Sequence, residues 1–241
     1  MLKVTTSWDD GDILDIRLSE LLTKYGIKGT FYISKDYRPE RLTDSDIKEI
    51  AKTHEIGAHT LTHPDLRAVS QEQKTVEISG SKKWLEEVLE KEVKIFCFPK
   101  GLYDDETVAV VKKTGFRGAR TTKLGTLYNK DPFLLDTTIQ IYPFPFRKSD
   151  YSHLYWKKLL EPYHQRSGAL QALGVSKLSM YSWLSTAKAT FDATQSNGKI
   201  FHLWGHSWEI EKYGMWKDLE KFLHYISKKD CQHVQNSELL N

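Results

Sequence analysis

Cysteine is scarce: Cys97 and Cys231 are the only two in 241 residues. Two thiols cannot build a disulfide framework, and these two lack the close spacing that holds a metal through sulfur. Nowhere is there a run of about 18 apolar residues, which excludes a membrane-spanning helix of ordinary length. The opening Met1-Leu2-Lys3-Val4-Thr5-Thr6 passes straight into a strand-like run without the apolar core of a secretory signal, so a cytoplasmic protein is expected. Excess charge is missing too. Lys and Arg number 35 against 32 Asp and Glu, a net +3 spread along the chain, which gives no basis for nucleic-acid or membrane-surface binding. Repeats, low-complexity tracts and linkers are also absent, so one domain over 1–241 is expected.

What is present suits a sizeable core: 39% hydrophobic and 12% aromatic residues. Apolar periodicity predicts strands at 2–8, Gly29–Ile33, Glu55–Ala58, Val93–Phe98, Gly118–Arg120 and Lys199–Trp204. Helices are predicted at Ile13–Tyr25, Leu42–Thr53, Ser70–Leu89, Asp104–Thr114 and Trp216–Ser227. The alternation lapses over 123–150, where prolines cluster, and Tyr151–Gln195 reads as helical with Gly168 and Gly174 interrupting. Strand followed by helix, repeated, is the pattern of a parallel sheet with crossover helices. Asp9, Asp10, His59, Pro99, Arg120 and His206 all fall at or just past predicted strand C-termini, the edge where ligands gather in such sheets.

The organising stretch is His59-Thr60-Leu61-Thr62-His63. Two imidazoles four residues apart can reach one cation, which still needs an oxygen ligand, and Trp8-Asp9-Asp10-Gly11 supplies candidates. Each piece also has an ordinary reading: Asp-Asp-Gly as turn chemistry, Asp10 as a cap for the helix at Ile13, the histidines as core-edge residues.

The combination resembles the polysaccharide deacetylase family (NodB homology, carbohydrate esterase family 4). Its Thr-Phe-Asp-Asp-Gly motif is similar to Ser7-Trp8-Asp9-Asp10-Gly11. Its His-Ser/Thr-x-x-His motif matches His59 to His63, continued by Pro64-Asp65-Leu66. Its Arg-x-Pro-x-Gly motif is met in part by Cys97-Phe98-Pro99-Lys100-Gly101, and its late strand with histidine by Phe201-His202-Leu203-Trp204-Gly205-His206. The resemblance implies an irregular (β/α) barrel with fewer than eight repeats. It implies a divalent metal on Asp10, His59 and His63, most readily Zn²⁺ with Co²⁺, Ni²⁺ or Fe²⁺ as alternatives, with Asp9 as general base and His206 as general acid. His202, four residues earlier, is the rival for that acid but lies inside the strand.

By the same resemblance Pro99, Lys100, Gly101 and Tyr103 lie where a backbone amide holds the oxyanion, with Lys100 the candidate donor. Trp204 and Trp208 are candidates for stacking on a sugar, as is Trp8, although tryptophans at strand ends are as often core. The family's motif arginine, which pairs with the catalytic aspartate, is Cys97 here. Arg120 at the next strand end is the candidate replacement, against a plain surface ion pair. Asp131 and Asp136 are the nearby acids for tuning the late histidine, and Glu209 either orients His206 or is simply solvated. The expected activity is hydrolysis of a non-peptide carbon–nitrogen bond, removal of an acyl group from an N-acetylated saccharide or glycan intermediate. The alternatives are a binding relative that has lost catalysis and a hydrolase of a small non-sugar amide.

Overall fold

In the computed structural model, residues 1–128, 130–147 and 155–240 are described. In chain order the elements are β1 Lys3–Asp10, α1 Asp15–Lys24, β2 Gly29–Ile33, α2 Asp44–Ile50, β3 Glu55–Ala58, α3 Gln71–Leu89, β4 Ile95–Cys97, α4 Asp105–Lys113 and β5 Gly118–Arg120. They continue as β6 Ile139–Gln140, α5 Tyr155–Ala172, α6 Trp183–Asn197, β7 Ile200–Gly205, α7 Ser207–Lys212, α8 Trp216–Ile226 and β8 Gln232–His233. The sheet order is β5-β4-β3-β2-β1-β7-β6, every pairing between named strands is parallel, and β8 adds to β1. This is the irregular (β/α) barrel with fewer than eight repeats.

β1 sits at the centre and is buried from Val4 to Asp10, as a strand covered on both faces must be. One edge carries β7 along Lys3–Trp8; the other carries β8 at Lys3–Val4 and then β2 from Thr6 to Asp10. Both acids thus belong to the strand itself, two residues beyond the predicted end at Trp8. The helices start where capping chemistry dictates: Thr43 and Asp46 form a capping box on α2, and the side chains of Ser70 and Asp104 cap α3 and α4.

The structure departs from the sequence expectations in the second half. The irregular stretch 123–150 contains β6, and Leu135 bonds back to β5 through Ala119 O and Thr121 N, both at 2.9 Å. Residues on either side of Asp136 therefore span the gap between β5 and β7. Helix α5 runs through Pro162 and Gly168 without interruption, and the turn comes at Gly174, φ +86°. Of the helical stretch expected from Tyr151, residues 151–154 lie outside the described residues, as do 148–150 of the irregular one. α7 and β8 were not expected; each is too short to show periodicity. None of the helices among the described residues is long and apolar enough to cross a membrane.

Candidate active site

The C-terminal ends of β1, β3, β5 and β7 open on one cleft of about 220 Å³, lined by Asp9, Asp10, Tyr37, His59, His63, Lys100, Thr122, Trp204, His206 and Trp208. Backbone strain gathers here. Among the described residues five non-glycines have positive φ, and Asp10 (+88°), Thr60 (+67°), His63 (+59°) and Lys100 (+58°) are in the cleft or between its ligand candidates. Such conformations cost roughly 1–3 kcal/mol each and persist where surrounding contacts over-determine them.

Asp10 Oδ1 lies 3.7 Å from His59 Nε2 and 3.6 Å from His63 Nε2, too far for hydrogen bonds, and this buried oxygen has no other partner among the described residues. Bonds of about 2.0–2.2 Å to a shared cation place donor atoms roughly 3.3–3.7 Å apart at tetrahedral to trigonal angles, so the spacing fits a cation held between them. The side chains are prepared for it. The ring of His59 donates from Nδ1 to Cys97 O at 2.8 Å, which leaves the Nε2 lone pair facing Asp10. Burial pushes both imidazoles down to about 4, so both are neutral at physiological pH. The second oxygen of Asp10 accepts the Trp208 indole N–H at 2.8 Å. Tyr37 stacks on His63, ring centroids 4.0 Å apart.

Asp9, His59 and Cys97 form a second cluster with metal-ligand spacing. Its donors are otherwise engaged. Arg120 donates to Asp9 Oδ1, His59 Nδ1 is bound to a carbonyl, and burial raises the Cys97 thiol well above its ordinary range. Asp10, His59 and His63 are the better set.

Asp9 is governed by Arg120. Both side chains are buried, and the guanidinium also lies over the rings of Tyr32 and Trp204 at 5.1 and 5.0 Å. Burial alone would raise the Asp9 carboxyl, but the charge of Arg120 outweighs it together with His59 and His206, and holds it below the ordinary value. Arg120 reaches Asp9 from the end of β5, beside Cys97 of β4, so the ion pair is made from the neighbouring strand. The surface ion pair is the reading the structure overturns: Arg120 is completely buried.

His206 follows β7 and is held by Glu209, whose Oε2 accepts from Nδ1 at 2.6 Å, while Nε2 faces Asp10 Oδ2 at 4.0 Å. Burial works against its charge, yet Glu209 and Asp10 raise it to about 9. Glu209 is therefore not merely solvated. Asp136 instead accepts from Thr121 and Thr126, and Asp131 from the Phe133 amide. The rival His202 is fully buried, bonded to Ser7 Oγ at 2.8 Å and lowered to about 3 by burial.

Glu209→Gln is expected to bring His206 from about 9 towards the ordinary value of about 6.5, read by imidazole NMR. The bond's stabilisation is fully present below about pH 6.5 and fades as pH rises through the folded value. The variant's loss of Tm should therefore be largest near pH 6 and vanish near pH 10, on the order of these limits.

The other expected contacts divide. Lys100, Trp204 and Trp208 line the cleft; Pro99, Gly101, Tyr103 and Arg120 do not. Tyr103 packs on Phe98, centroids 4.9 Å apart. Gly101 sits so close to Thr122 that a Cβ there would lie 1.9 Å from Oγ1. Trp8 is core, its indole bonded to Thr6. Tyr37 and Thr122 escaped the sequence reading, although both follow strand ends, the rule that found the others.

An incomplete parallel (β/α) barrel with acids and imidazoles at its strand ends defines the class of NodB-like barrels. Residues 3–119, just under half of the chain, match the model of the polysaccharide deacetylase family. YxkH of Bacillus subtilis, which carries the name of a polysaccharide deacetylase, is 33% identical over 108 residues, 44% of this chain and 39% of its own. The chain thus spans about two fifths of that relative's length. The Streptococcus pyogenes deacetylase PplD, solved in complex with acetate, is 25% identical over 55% of this chain and 62% of that one, TM-score 0.51. A Mycobacterium smegmatis structure matches 99% of this chain and 88% of its own at 16% identity and TM-score 0.69, a likeness of fold.

Proposed function

We propose that this chain is a divalent-metal-dependent hydrolase that removes the acetyl group from an N-acetylated saccharide or glycan intermediate. The observation that carries it is the unpartnered Asp10 Oδ1 held against two neutral imidazoles, beside an ionised acid and a protonated histidine. A cation on Asp10, His59 and His63, most readily Zn²⁺, would supply acidity to a water and polarise the scissile carbonyl.

The chain's own groups do the rest. Asp9, kept ionised by Arg120, accepts the proton of the attacking water. His206, kept protonated by Glu209, faces the cleft through Nε2 and delivers a proton to the leaving nitrogen, which cannot depart as an anion. Environments that push two titratable groups apart in this way separate base from acid. The Lys100 amide is the donor assigned to the developing oxyanion. Trp204, Trp208 and Tyr37 present aromatic surface to the sugar. The acetate held by the S. pyogenes relative supports the acetyl group.

The retained acid and base speak against a purely binding relative, which needs neither. The test is metal content of the purified protein together with acetate release from N-acetylated oligosaccharides, for wild type, Asp10→Ala and His63→Ala. About one equivalent of metal is expected in the wild type, lost with activity in both variants. Absence of metal after reconstitution would end this mechanism. Metal without acetate release would move the substrate to another amide.

A further inference from the structure

The loop that carries His59 and His63 is also seated from a helix. From α3, Glu77 reaches under it, 1% exposed, and engages both carboxylate oxygens there. Oε2 accepts the amides of Leu61 and Thr62, both at 2.9 Å, and Oε1 accepts the Thr62 hydroxyl at 2.7 Å. Among the described residues no basic side chain pairs with it. A carboxylate buried without a cation is costly unless its lone pairs are filled, and here three donors of one loop fill them.

Those donors lie between Thr60 and His63, the two left-handed residues of the loop. One turn further along α3, Gly80 leaves room for Leu61: a Cβ there would stand 2.8 Å from Leu61 Cδ1. Leu61 O in turn accepts the Asp36 amide at 2.8 Å, and the next residue, Tyr37, stacks on His63. Helix α3 thus seats the loop, and the loop seats the ring that packs on one of the proposed ligands.

We propose that Glu77 is a positioning residue for metal binding: its three bonds hold the strained loop in the one geometry that aims His59 and His63 at Asp10. The proposal rests on the reading of those three residues as ligands. In Glu77→Gln the charged acceptor is lost: one neutral oxygen remains for the two amides, and the NH₂ is accommodated only if the Thr62 hydroxyl turns to accept it, so the clamp weakens while size is kept.

The experiment is Zn²⁺ affinity of the full chain by chelator competition, with the visible spectrum of the Co²⁺ form as an independent readout. Glu77→Gln is expected to weaken Zn²⁺ binding about 10- to 100-fold and to alter the Co²⁺ spectrum. Thr62→Val, which removes one bond of three, is expected to weaken it less. Lys74→Met is the control on the same helix. It breaks the ion pairs that the buried Lys74 side chain makes with the exposed Glu106 and the partly exposed Asp104 (2.6 and 3.6 Å) without touching the loop, so it should lower Tm and leave Zn²⁺ affinity unchanged.

Wild-type affinity in a folded Glu77→Gln, or an equal loss in Lys74→Met, overturns the proposal. Should Glu77→Gln not fold, Thr62→Val and Gly80→Ala decide between the same two outcomes by the same measurements. A wild type that binds neither metal overturns the ligand reading itself, a distinguishable result.

Discussion

Arg120→Met is expected to cost about 3–5 kcal/mol of folding stability, because it leaves the buried Asp9 carboxylate without its cation. The guanidinium and carboxylate are both almost completely buried, so solvent does not screen the loss. The pH dependence follows from sign. Asp9 is held below its ordinary value, so the pair's contribution is present above about pH 4 and is lost as pH falls through the folded value. Wild type and variant should therefore differ most near neutrality and converge in acid, as urea titrations at several pH values will show.

Catalysis should fail with stability. Without Arg120, burial raises Asp9 against only the weaker pull of His59 and His206, and the base is protonated over part of the working range. The acid limb of the rate profile should move to higher pH, with turnover at neutrality down on the order of 10²-fold. A variant within about 0.5 kcal/mol of wild type would mean that the pair does not hold the strand ends together.

Asp9→Asn is the second large effect, and it separates base from ligand. Turnover should fall by about 10²- to 10⁴-fold, the ordinary worth of a positioned base. Metal content should stay at wild-type stoichiometry, since Asp10 and not Asp9 faces both Nε2 atoms. Loss of the metal would instead assign Asp9 to the ligand set. The Asp9→Asn/Arg120→Met double variant should be less destabilised than the sum of the singles. Each removes the same ion pair, and the second substitution relieves a charge the first left stranded.

The opposed states of Asp9 and His206 arise from neighbours distant in sequence or folded back upon them. Asp9 stays ionised because Arg120 arrives from β5, and His206 stays charged because Glu209 turns back on it within α7. In the sequence, Cys97 at the position of a motif arginine looks like a defect. In space its register partner on β5 is Arg120, whose guanidinium reaches Asp9.

The sequence alone determined the parallel β/α alternation of the first half, the strand ends where chemistry gathers, and the candidate set Asp9, Asp10, His59, His63 and His206. Hydrophobic period, capping residues and short motifs are local, and local signals survive in a linear string. Only the tertiary structure decided β6 and β8, two-residue strands that exist because β7 and β1 offer them partners. It alone brought Arg120 to Asp9, Glu77 beneath the histidine loop and Tyr37 over His63. Those contacts join residues separated by other elements, and burial and charge act through space along paths that no periodicity records.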